Sequence, residues 1–294
     1  MIGDLPVVCF DTSAHNRLVD DGPRSEPIMA AFRSGLFFRF AGLSIEEMIA
    51  TPDPAKRAAL FNYCGRIQKG RTDCIQPQNE LLRLLVLAHS KNPSAFDWKS
   101  VNVGASDYER GISDRTLIGN EELSADQRRD QLARAKEYDK IFSGPRAEIE
   151  KVFAAHGEAP PPTFSQAIAR LQASEGRLMW GIGKRLYDRA AGTDASEVTI
   201  REFLDCCPPF RALIYAMLVS WYDKGMRDRH TGEKLGSGRN DLFMAVYLPY
   251  CGQFVTAEVR GEQERCLRVV AAAANLKTKV LSYDDFCDSF LVVV

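Results

Sequence analysis

Short apolar runs alternate with helical periodicity at both ends of the chain, whereas the middle carries helical periodicity alone. Val7 to Phe10 is a run of strand formers, followed by polar Asp11-Thr12-Ser13 and a helical pattern through Leu18 and Val19. The segment EPIMAAFRSG sets Ile28, Met29 and Phe32 at helical spacing with Gly35 as the stop, and LFFRF reads as a second strand. In LSIEEMIATPDP, Ser44 precedes Glu47 by three residues, the spacing of a capping box, before an exit at Pro52 and Pro54. Two amphipathic helices are expected next, over PAKRAALFNYCGRIQKG and PQNELLRLLVLAHSKN.

From about Pro93 to Leu235 the pattern predicts helices and no strand. The charged stretch DRTLIGNEELSADQRRDQLARAKEYDKIF is followed by a break at GEAPPPTF and a further helical run, while RALIYAMLVSWY is apolar nearly all round and reads as a buried helix. No period of 20–50 residues recurs, so a repeat array is not expected. After KLGSGRN the alternation returns: DLFMAVYLPYC as helix, QFVT as strand, EQERCLRVVAAAAN as helix, KVL as strand, and DDF opening the C-terminal segment. Strands alternating with helices predict an α/β fold, a parallel sheet of four or five strands with helices on both faces. The α/β domain is then discontinuous, residues 1–92 and 236–294, with 93–235 as a large α-helical insertion.

Composition narrows the class. The 294 residues are 45% hydrophobic and 26% charged, as in ordinary globular proteins, and no apolar run approaches the roughly 20 residues of a spanning helix. The opening MIGDLPVVCF has no basic n-region and is interrupted by Asp4 and Pro6, so a cytoplasmic protein without membrane association is expected. Eight cysteines without a C-x-x-C pair read as reduced thiols, and with four histidines a zinc cluster is not favoured. A net charge of −1 gives no global footprint of a nucleic-acid binder, so any such contact must be local.

Sites in open α/β sheets form beyond the carboxyl ends of the strands. Asp11 follows the first strand directly and Glu258 follows FVT by two residues, so both are expected on one edge. Asp241 follows the GSGRN turn at a helix N-terminus, where an anion is tolerated, and Glu47 lies in the first turn of the helix after the second strand. Two carboxylates about 4 Å apart repel by roughly 4 kcal/mol at an effective dielectric near 20. Four of them around one cleft call for a cation, and all-oxygen ligands select Mg²⁺ or Mn²⁺. Such an ion suits phosphodiester hydrolysis without a covalent enzyme intermediate.

VVCFDTSAHNRL, SIEEMIA, NDLFMAVYLPYCGQFVTAE and KVLSYDDF together resemble the PIN domain family, metal-dependent ribonucleases of α/β/α fold. The opening Asp-x-Ser/Thr-x-x-Asn motif falls on Asp11, Ser13 and Asn16; the helical glutamate on Glu47, with Glu46 as the alternative; the Asn-Asp pair on Asn240 and Asp241; and the Thr-x-Asp motif on Thr256 and Glu258. The resemblance covers roughly half the chain, outside the helical middle. It implies a three-layer α/β/α sheet, an RNA substrate, and Asp11, Glu47, Asp241 and Glu258 as catalytic metal ligands around Mg²⁺ or Mn²⁺. An inhibitory protein partner of the antitoxin kind is compatible with it. The alternative is a PIN-like scaffold that binds RNA or protein without cutting. Two departures stand out: Glu258 is one methylene longer than the usual aspartate, and Gly252 stands where similar sequences often carry an acid.

Singly, each residue has a structural account. Asp11 suits a helix cap, Glu47 the capping box, Asp241 a helix dipole and Glu258 a solvated loop. Ser13 and Thr256 are expected to orient carboxylates or to serve as turn hydroxyls, and Asn16 to hold the first carboxylate or to lie on a polar helix face. GSGRND lacks the spacing and lysine of a P-loop. FDTSA lacks the second acid, two residues on, that aspartyl-phosphate phosphatases need.

Overall fold

In a computed structural model of the chain, the structure describes residues 7–101, 106–114, 116–143, 151, 154–155, 157–173, 177–228, 230–236, 239–258 and 261–291. Five strands form one sheet: β1 (Val8–Phe10), β2 (Phe38–Ala41), β3 (Thr72–Ile75), β4 (Gln253–Thr256) and β5 (Lys279–Ser282). Their order is β3-β2-β1-β4-β5 and every pairing is parallel, with Phe10 beside Phe40 on one side and Val255 on the other. The chain leaves β1 first toward β2 and β3 and only later toward β4 and β5. The order therefore reverses between β1 and β4, the place where open sheets leave a crevice at their carboxyl ends.

Alternation along the strands supplies two cores. Val8, Phe10, Phe38, Phe40, Cys74 and Val255 face one side, beneath helices α1 (Thr12–Asp20), α2 (Glu26–Arg33), α3 (Gly42–Ile49), α4 (Pro54–Ile67) and α6 (Ser106–Ser113) and the last helix of the chain. Cys9, Ala41, Ile75, Phe254 and Val280 face the other side, beneath α5 (Gln78–Lys91). That second layer continues through helices of the middle segment: α8 (Phe164–Ala173), α9 (Arg177–Ala191), α10 (Glu197–Cys206) and α11 (Pro208–Trp221). Phe203, Phe210 and Leu213 from these helices share one apolar cluster with Phe254 of the sheet. Between α6 and α8 runs the long α7 (Glu121–Ser143). The architecture is three layers, α/β/α, with helices from the middle segment built into one of them.

Several local expectations change. β3 lies in TDCI, a stretch with no apolar alternation; the Arg39 guanidinium on β2 makes two 2.6 Å hydrogen bonds to Asp73 on β3, holding the two in register. Ser44 is not a cap. α3 starts at Gly42 directly after β2, so Ser44 lies inside the helix and donates to the Phe10 carbonyl at 3.2 Å, and the capping box with Glu47 does not form. The early start depends on Gly42, where an added Cβ would stand 2.4 Å from the Pro77 nitrogen and 2.6 Å from the Ile75 oxygen. DLFMAVYLPYC divides into α12 (Arg239–Met244) and a 3₁₀ segment, Ala245–Tyr250, that contains Pro249. The remaining helices are α13 (Glu262–Ala273) and α14 (Tyr283–Leu291). Among the described residues no single helix is long and apolar enough to cross a membrane.

Candidate functional site at the sheet's carboxyl edge

Asp11 ends β1 and caps α1. Its extended backbone turns the carboxylate onto the free N–H groups of the first turn, where it accepts from the Ala14 nitrogen at 2.7 Å. The Ser13 hydroxyl lies 2.8 and 2.9 Å from its two oxygens. Across the β1–β4 switch point, the same Ser13 oxygen accepts from the Ala257 nitrogen at 2.8 Å and lies 3.3 Å from the Thr256 hydroxyl. Thr256 in turn donates to the Gln263 side chain at 3.1 Å, and the Gln263 nitrogen donates to Glu258 at 2.6 Å, so Glu258 closes the N-terminus of α13. From the other side, the Thr12 hydroxyl donates to the Glu47 carboxylate.

Asp11, Ser13, Thr256 and Glu258 therefore share one network, while Glu47 is bonded to Thr12, the residue that follows Asp11 in the chain. Glu46 points elsewhere: it pairs with Arg134 of α7 at 3.1 Å. Of the two glutamates, Glu47 is the one bonded to the α1 start, through Thr12. Asn16 does not hold the first carboxylate; it donates to the Thr12 carbonyl at 3.0 Å, bracing the first turn of α1 from within. Asp241 lies in the first turn of α12, and its side chain, with that of Asn240, lies outside the described residues.

Asp11 is 2% exposed, and burial raises its carboxyl from the usual value near 3.8 to about 6. Hydrogen bonds from Ala14, Thr256 and Ser13 pull the other way, and the charge of Glu258 adds to the rise. Among the described residues no lysine or arginine forms an ion pair with Asp11. The oxygens gathered here match a hard dication in kind. Among the described residues, however, no three His, Cys, Asp or Glu side chains are grouped so as to hold a metal ion.

No protein-family model, curated protein or solved structure matches this chain.

Sequence reasoning missed Thr12, Gln263 and Arg134. Gln263 had a local signal, an acid shortly before a helix start; Arg134 had none, since it meets Glu46 from 88 residues away. A separate cleft of about 330 Å³ lies between α4 and α6, lined by Phe61, Gly65, Arg66, Lys69, Ile112 and Ser113. It sits at the C-terminal end of α4, which leads into the start of β3, at the opposite edge of the sheet from Asp11.

Proposed function

We propose that the protein is a PIN-like, Mg²⁺- or Mn²⁺-dependent endoribonuclease, with residues 1–92 and 236–294 as the nuclease domain and 93–235 as helices inserted into it. The observation that carries this reading is positional. A buried carboxylate, Asp11, that forms no ion pair with a lysine or arginine among the described residues stands at the β1–β4 switch point, with Glu258 after β4 and Glu47 bonded to its chain neighbour Thr12. In this reading Asp11, Glu47, Glu258 and Asp241 hold the ion, with Asp241 supplying the fourth carboxylate from the start of α12. A bound dication would offset the charge of a phosphodiester and stabilise the leaving oxygen. The chain's own contributions are Ser13 and Thr256, which fix the Asp11 carboxylate, and Glu47, which orients the attacking water. The eight cysteines, all free thiols, suit a reducing compartment such as the cytoplasm.

The second reading is a PIN-like scaffold that binds RNA or a protein partner without cutting. It is favoured by the capping work already done by two of the carboxylates, Asp11 on α1 and Glu258 on α13. One experiment separates the two: single-stranded and structured RNAs are incubated with Mn²⁺ and either the wild-type protein or Asp11→Asn. Cleavage by the wild type alone is expected. Equal cleavage by both, or binding by both with no cleavage, defeats the nuclease reading.

A further inference from the structure

The long helix α7 crosses the carboxyl edge. Near its N-terminus, Ser124 accepts from Arg57 of α4 at 3.1 Å, and Glu121 pairs with the same guanidinium, which is fully buried. Midway, Arg134 pairs with Glu46 of α3. Further on, Tyr138 bonds Ser220 of α11 and lies in the core on the other side of the sheet. From Ser124 to Tyr138 the helix rises about 21 Å, which carries it from one helix layer to the other. Because α3 begins at the carboxyl end of β2, the Arg134–Glu46 contact places the crossing over the helix that carries Glu47.

The seat under this helix is unusual for a buried face. Leu123 packs against the core at the start of the helix, but the residues that follow inward at helical spacing are Ser124, Gln127, Gln131, Arg134 and Tyr138. Gln127 Oε1 and Gln131 Nε2 are shut off from solvent and have no hydrogen-bond partner among the described residues. An unsatisfied buried polar atom costs about 1–3 kcal/mol, so the closed position of α7 is poorly secured compared with the apolar packing of α3, α4 and α11.

We infer that α7 is a displaceable strap over the carboxyl edge, and that a polyanionic single strand lifts it by taking Arg134 away from Glu46. This deepens the nuclease reading and rests on it for its purpose, though opening can be measured without cleavage. Once lifted, the strap presents Arg134, Arg128 and the two glutamine amides to phosphates and bases beside Glu47.

The test is hydrogen exchange on the full chain, with and without a 12-nucleotide oligouridine in EDTA. Amides of 121–138 are expected to exchange faster than those of α11, and faster still with the oligonucleotide. Gln127→Leu with Gln131→Leu is expected to slow exchange in α7 by about tenfold, and Arg134→Gln to weaken oligonucleotide binding several-fold. Exchange in α7 only as slow as in α11, unchanged by the oligonucleotide and by the leucines, overturns the inference, as does the absence of oligonucleotide binding. If α7 opens and the oligonucleotide binds, yet Mn²⁺ supports no cleavage, the strap stands and the nuclease reading falls.

Discussion

His15 offers a clean perturbation of the core beneath the candidate site. Its ring is 2% exposed, stacked on Phe40 at 6.0 Å and edge-on to Phe10 and Phe38 at 5.6 and 5.7 Å, and Nε2 has no hydrogen-bond partner among the described residues. Burial lowers its pKa from 6.5 to about 3. Between these values the unfolded chain binds a proton that the folded chain does not. Stability from this group is therefore complete above pH 6.5 and is lost as pH falls toward 3. Each pH unit in that window is worth about 1.36 kcal/mol, so falling from 6.5 to 4.5 costs about 2.7 kcal/mol. His15→Leu keeps an apolar side chain in the aromatic cage and removes the titration. Urea unfolding of both proteins at pH 7.5 and 4.5 is the assay. Asp11 acts in the opposite direction in part of the same window, its raised carboxyl favouring the fold at lower pH, but both proteins carry it, so it cancels in the comparison. The wild type is expected to lose about 2.7 kcal/mol more than His15→Leu over this range. Equal losses would refute the assignment of a neutral, caged imidazole.

Gly42→Ala is expected to destabilise by about 3 kcal/mol, read as a shift in the urea midpoint, because the new methyl meets the backbone at Pro77 and Ile75. Arg57→Met is expected to cost about 3 kcal/mol in the same assay: it strips donors from the carbonyls of Thr51 and Ile118 and from Ser124. In RNA cleavage with Mn²⁺, Glu47→Gln is expected to lower activity at least about a hundredfold, whereas Glu46→Gln leaves it within a few-fold; the reverse order would exchange their roles.

The apolar patterns at the two ends of the chain were enough to expect strands at four of the five places where they occur, because those strands are buried and read as continuous hydrophobic runs. β3 escaped because half of it is polar, and what holds it in the sheet is the Arg39–Asp73 pair, a contact 34 residues apart that no local window contains. Ser44 looked like a cap for a related reason: the start of α3 is set by the close approach of Gly42 to the β3–α5 connection, not by nearby polar residues. At the site, strand-end positions were enough to bring Asp11 and Glu258 to one edge. The choice between Glu46 and Glu47 was not legible, since adjacent helical residues point about 100° apart and α7 decides which of them is engaged. The middle segment read as a helical insertion, yet α10 and α11 share the sheet's own core, because one face of a parallel sheet needs a complete cover.

The most direct measurement is calorimetric titration of the metal-free protein with Mn²⁺, for the wild type, Asp11→Asn and Asp241→Asn. Saturable binding to the wild type that both variants lose is the expected result. No heat from the wild type, or the same isotherm from all three, would contradict a dication held at the β1–β4 crevice.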